Sequence, residues 1–164
     1  MTDRATLAAP YSGYRTEVGA EWIDYNGHLH DAGYAIVLSK ANEALLAHLG
    51  LSEAYRAATG RAMYTVESHI RYLAEAVRGD VIEAVSLLVS ADAKRLRIHT
   101  VLRRDDGVLV ATGEYLYLHV DQTVGSVTAM PPDRWAAVNA LLSAHASLDR
   151  PAHLGRGVGD SRQP

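Results

Sequence analysis

One thoroughly apolar helix followed by four alternating segments leaves few folds open to this chain. Over residues 31–49, apolar side chains recur at Tyr34, Val37, Leu38, Ala41, Leu45 and Leu49, a helical period that Gly50 stops. Ala35, Ile36, Ala44 and Leu46 fill much of the remaining circumference, so the spacing predicts a central helix buried nearly all round. A shorter helix is expected over 52–59, with Ser52 as its cap and Gly60 at its end. After Gly60 the period becomes alternating and predicts strands over 61–73, 80–91, 94–104 and 108–120, with Asp106-Gly107 placed for a tight hairpin. In the first of these, alternation puts Tyr64, Val66, Ile70 and Tyr72 on one face and Thr65, Glu67, His69 and Arg71 on the other. An earlier strand is expected over 14–21, and Pro131-Pro132 introduces a last helix carrying Trp135, Val138, Leu141 and Leu142. Consecutive strands should pair as an antiparallel meander, and a sheet with one such helix to bury curls around it, an α+β arrangement. Residues 1–146 read as a single domain and 147–164, rich in Gly, Pro and charge, as a flexible tail.

Composition narrows the chemistry. With 16 Lys and Arg against 19 Asp and Glu, a net charge of -3 gives no attraction for nucleic acid or an anionic membrane surface. Cysteine is absent, so disulfides, zinc-thiolate sites and thiol nucleophiles are excluded. The start "MTDRATLAAPYSGYR" has no apolar core behind a basic segment, and no run of about eighteen apolar residues occurs, so a cytoplasmic location is expected. Phe is also absent while Tyr occurs 9 times, so aromatic core volume comes largely from rings whose hydroxyl needs a partner.

The stretch "WIDYNGHLHDAGY" gathers Asp24, Asn26, Gly27, His28, His30, Asp31 and Tyr34 just ahead of and into the long helix. Taken alone, Asp24 and Asn26-Gly27 fit a turn, and Asp31 fits the cap or first turn of the helix. Gly27 suits positive φ or a close backbone approach to a ligand. His28 and His30 suggest a metal pair, but an H-x-H in a loop lacks the further ligands a site requires, so no metal is expected.

These residues resemble the loop and helix start of hotdog acyl-CoA thioesterases of the 4-hydroxybenzoyl-CoA thioesterase type, in which an Asp, a Gly-His or similar pair and a Tyr follow in that order. "VESHIRYLAEAVRGD", "DAKRLRIHTVLRRDDGVLVATGEYLYLHVD" and "MPPDRW" are similar to the carnitine-catabolism subgroup, assigned to betainyl-CoA. Together the blocks span most of 14–145. The resemblance implies the hotdog fold, in which a curled antiparallel sheet wraps a long central helix. It also implies an acyl-CoA substrate whose CoA is not a separate cofactor, no other cofactor, and a homodimer or dimer of dimers with its site between chains.

Asp24 then takes the position of the catalytic carboxylate, as nucleophile or as general base. Without Cys or a Ser-centred elbow a carboxylate is the natural group for either task. The backbone N–H groups of His30, Asp31 and Ala32, at the start of the helix, are the expected oxyanion donors. Asn26, Gly27, His28, Tyr34, Tyr64, Glu67 and His69 are the expected substrate-binding residues. A betainyl group carries a quaternary ammonium, best held by aromatic faces and a carboxylate, for which Trp22, Tyr25, Tyr34, Tyr64, Tyr72 and Glu67 are available. Two other readings stay open: a hotdog hydratase or dehydratase working through His28, and a non-catalytic acyl-CoA-binding protein.

Overall fold

The computed structural model describes residues 10–152 and 154–158. Along the chain come β1 (Tyr11–Glu17), α1 (Asp31–His48), α2 (Glu53–Thr59), β2 (Arg61–Tyr72), β3 (Val81–Asp92), β4 (Arg95–Arg104), β5 (Leu109–Asp121), β6 (Ser126–Val127) and α3 (Pro132–His145). The first strand starts and ends earlier than the expected 14–21, because the chain breaks off after Val18 and Ala20–Trp22 form a 3-10 turn. The two-residue β6, which has no apolar alternation to announce it, pairs with β5.

All pairings are antiparallel, in the order β1-β3-β4-β5-β2, so the fold is the hotdog arrangement of a curled sheet around α1. The expected four-strand meander holds only for β3, β4 and β5. Tight turns at Ala93-Lys94 and at Gly107 (φ 85°) join these three. The segment 73–80 between β2 and β3 is too long for such a turn and crosses the end of the sheet, leaving β2 against β5 at the far edge.

A second correction concerns β2. Thr65 lies opposite Tyr117 and Glu67 opposite Leu116, so Val66 is an extra, bulged residue, 51% exposed. The bulge resets the alternation. Tyr64 therefore shares the outer face with Glu67, His69 and Arg71, while Thr65 joins Ile70 and Tyr72 on the face toward α1.

The core lies between α1 and the concave side of the sheet. Tyr34, Val37, Leu38, Ala41 and Leu45 of α1 meet Ile82, Leu96, Ile98, Leu102 and Val110, all buried. The helix is not buried all round, however: the sheet covers one side, and Ile36, Ser39, Lys40, Glu43 and Ala47 stay exposed, with Lys40 and Glu43 paired at 2.8 Å. Leu38 packs on Gly113, where an added Cβ would fall 2.9 Å from Leu38 Cδ1 and 2.7 Å from the Tyr115 ring.

Buried polar groups tie the layers together. The Thr100 hydroxyl donates to Asn42 Oδ1 at 2.9 Å, and Ser86 and Thr100 share a bond at 2.8 Å. His119 is fully buried, with Nδ1 2.9 Å from the Thr128 carbonyl and Nε2 2.9 Å from the Tyr55 hydroxyl. A carbonyl only accepts, so Nδ1 carries the proton and the Tyr55 hydroxyl donates to Nε2. Tyr55→Phe should leave that buried nitrogen without a donor and destabilise the fold by about 1–3 kcal/mol. Urea unfolding of the two proteins measures this, and equal midpoints would refute the assignment.

The expected flexible tail, 147–164, lies partly outside the described residues, as does most of the N-terminal stretch 1–15. Of the described part, Arg150 donates to the Val89 carbonyl at 3.4 Å, and the Gly155 N–H donates to Glu114 Oε2 at 2.8 Å on the outer face of the sheet. No helix among the described residues is long and apolar enough to cross a membrane.

Candidate active site

The loop ahead of α1 is a tight reversal. The Asp24 N–H donates to the His28 carbonyl at 2.9 Å, the Gly27 N–H donates to the Asp24 carbonyl at 3.0 Å, and Gly27 takes φ 83° at the tip. A bridge between Ile23 and Leu29 closes its base. The Asp24 carboxylate faces into this reversal. Its Oδ1 accepts from the N–H groups of Asn26 (2.8 Å) and His28 (3.3 Å), and Oδ2 accepts from Asn26 Nδ2 at 3.4 Å. Partial burial pushes its pKa up, but the His28 and Asn26 N–H groups outweigh this and hold it below the ordinary aspartate value. The turn-forming role and an ionised carboxylate thus coexist in one residue.

His30, not Asp31, caps α1: its Nδ1 accepts from the Gly33 N–H at 2.9 Å. The expected oxyanion donors also divide. The His30 N–H is committed to the Trp22 carbonyl (2.9 Å), because it belongs to the loop closure rather than to the open helix end. The Ala32 N–H is covered by the Asp31 carboxylate at 2.9 Å. Among the described residues only the Asp31 N–H, of these three, has no acceptor. It sits at the positive end of the helix dipole.

Beside that N–H lies a cavity of about 340 Å³ lined by His28, Leu29, Asp31, Tyr34, Tyr72 and the chain 73–75. Tyr34 builds its floor. Its hydroxyl donates to the Ala74 carbonyl and accepts from the Ala76 N–H, both at 3.1 Å, so the hydroxyl fastens the crossover to α1. Burial raises the pKa of this hydroxyl. Tyr72 stands edge-on to Tyr34, ring centres 5.5 Å apart at 69°, with its own hydroxyl pushed up by burial and by the nearby Asp31 charge. At the rim, His28 Nε2 lies 3.2 Å from Glu75 Oε2. Glu75, Leu73 and Ala74 carried no signal in the sequence, since only the crossover brings them to α1.

Not every expected residue gathers here. Asn26 and Gly27 form the exposed loop tip, and Tyr25 is 97% exposed beside them. Trp22 packs partly buried against the core. Tyr64 points outward from β2 and accepts from Gln122 Nε2 at 2.8 Å. Glu67 and His69 line a separate outer-face cavity of about 330 Å³ with Arg97, Glu114 and Arg156, where Arg97 and Glu114 pair. Within one chain, therefore, Tyr64, Glu67 and His69 are not brought to the Asp24 loop; the face assignment, reset at Val66, and the sheet itself divide them from it. Among the described residues no group of three or more His, Asp and Glu side chains is placed to hold a metal ion.

Comparison with known proteins adds to this geometry. A family model for the thioesterase-like superfamily matches residues 18–142. The betainyl-CoA thioesterase of Pseudomonas aeruginosa is 40% identical over 147 residues, covering 89% of this chain and 92% of that protein. The L-carnitine dehydrogenase/betainyl-CoA thioesterase of Agrobacterium fabrum is 42% identical over 149 residues; the match covers 91% of this chain but only 30% of the length of that larger relative. Among solved structures, a hypothetical protein of Staphylococcus aureus in complex with CoA superposes with a TM-score of 0.84 at 28% identity, covering 92% of this chain and 96% of that one.

Proposed function

Because this chain belongs to the thioesterase-like superfamily, we propose that it hydrolyses an acyl-CoA thioester to the free acid and CoA, with Asp24 as its carboxylate and betainyl-CoA as its substrate. The observation that carries the reading is the junction of loop and helix: an ionised Asp24 on the reversal that leads to the open N–H of Asp31. As general base, Asp24 takes a proton from water as the water oxygen bonds to the carbonyl carbon; as nucleophile, it forms an acyl anhydride that water then opens. In both, the carbonyl oxygen gains charge beside the Asp31 N–H, and the C–S bond breaks with the sulfur leaving as CoA thiolate. The betainyl group is supported by the names of two relatives at 40% and 42% identity.

The same reading includes a single catalytic domain over 1–146, no cofactor beyond the CoA of the substrate, and a cytoplasmic homodimer or dimer of dimers. Support for pairing comes from β2, which ends the sheet with an open edge and exposes Tyr64 and Val66 along it. Across such a pair, Tyr64, Glu67 and His69 of one chain could approach the Asp24 loop of the other.

A panel of acyl-CoA esters that includes betainyl-CoA, followed by release of free thiol, tests the activity. The pH profile tests the residue. Since the N–H groups around Asp24 hold its pKa down, the acid limb of kcat/KM should fall below pH ~4, the ordinary aspartate value, with activity present above it and lost as Asp24 protonates. An acid limb near pH 6 would point to another group.

A further inference from the structure

We propose that the cavity between the start of α1 and the end of β2 is a quaternary-ammonium site, walled by the ring of Tyr72 with the buried Tyr34 behind it and flanked by the carboxylates of Asp31 and Glu75. The inference rests on the thioesterase reading for what the cation is attached to, not for its binding.

A trimethylammonium group donates no hydrogen bond, so it is held by π faces and by negative charge that need not touch it. Both are present. The Tyr34 hydroxyl is spent on the backbone at Ala74 and Ala76 and the residue is 4% exposed, so its ring is a fixed, buried backing behind Tyr72 rather than an open face. Tyr72 meets that ring in a T-shaped contact and is 52% exposed, so it is the aromatic surface of the lining open to an occupant. Leu29 and Leu73 offer apolar contact to methyl groups. The carboxylates come from two separate segments, the helix start and the crossover, with His28 against Glu75 at the rim as the basic side chain of the lining. At about 340 Å³ the space suits a small ligand group.

Position strengthens the case. In a betainyl thioester a single methylene separates the cationic nitrogen from the reacting carbonyl, so the cation site must adjoin the oxyanion donor. Asp31 spans both: its N–H is the unengaged donor of the helix end and its side chain borders the cavity.

The test compares betainyl-CoA with 3,3-dimethylbutyryl-CoA, which has the same shape and no charge. Wild-type kcat/KM should favour the cation at least tenfold. Tyr72→Leu should cut that ratio about tenfold and Glu75→Gln about threefold, whereas Tyr72→Phe, which keeps the face, should preserve it. A wild-type ratio near one, or a ratio that Tyr72→Leu leaves unchanged, overturns the cation site while the thioesterase reading stands. If neither ester is hydrolysed, the thioesterase reading fails and titration of the wild-type protein with free betaine decides the site. Binding that Tyr72→Leu weakens and Tyr72→Phe retains supports it, and no binding overturns it.

Discussion

Asp24→Asn should lower kcat for acyl-CoA hydrolysis by about 10³-fold, the scale of a lost general base, while binding of the ester stays within a few fold of wild type. The substitution is chosen for what it keeps. An amide Oδ1 still accepts from the N–H groups of Asn26 and His28, so the reversal that presents residue 24 retains its bonds. Only the contact from Asn26 Nδ2 turns from donor–acceptor to donor–donor, and Asn26 is exposed and free to turn away. What disappears is the carboxylate, and with it both the base and the nucleophile. Stopped-flow thiol release with a parallel binding titration separates the two effects. Undiminished hydrolysis would remove Asp24 from the chemistry. Binding without turnover in the wild type would favour a non-catalytic acyl-CoA carrier, and hydration of an enoyl-CoA that depends on His28 would favour a hydratase.

The largest stability effect is expected at the contact of α1 with β5. Leu38 is fully buried on Gly113, and Leu38→Ala should cost roughly 2–5 kcal/mol, the lost transfer energy plus the cavity left in a sheet too well paired to collapse. Gly113→Ala should cost about 1–3 kcal/mol in the opposite sense, by crowding Leu38 and the Tyr115 ring. The pair should couple. With Leu38 shortened, one of the two collisions at position 113 is gone, so the double variant should lose less than the sum of the single losses. Urea unfolding of the four proteins closes the cycle, and strict additivity would show that the two side chains do not meet.

Much of the architecture was legible because it is written in local periods. The α1 stripe, the Gly50 and Gly60 stops and the Asp106-Gly107 turn each act within a few residues, and the expected helix and strand bounds over 31–121 lie within one residue of those observed. Strand order was not legible, since alternation states that a segment is a strand and not which neighbour it takes. The bulge at Val66 was invisible for a related reason: Thr65-Val66-Glu67 reads as unbroken alternation, and only the count across to Tyr117 and Leu116 exposes the extra residue. At the site, Asp24 and Asp31 could be singled out as neighbours of the helix start. The division of labour among three backbone amides depended on the closure of the Trp22 carbonyl onto His30, and the partners of Tyr34 and His28 arrive from the crossover at 73–80. Those are tertiary facts with no local signature.

The placement of β2 also sets when the molecule becomes competent. Arg61 lies opposite Asp121, so β2 finds its partner only after β3, β4 and their turns have been spooled into the loop it closes. Among the strand pairings of the described residues only β1 with β3, where Tyr11 lies opposite Ser86, spans more chain, so closing β2 onto β5 carries a large closure entropy. Tyr72 and the crossover residues that wall the cavity ride on that strand. A half-folded chain can therefore hold β3, β4 and β5 as a hairpin stack and still have no cavity, so occupancy by a ligand reports that this long-range pairing is complete rather than that secondary structure is present.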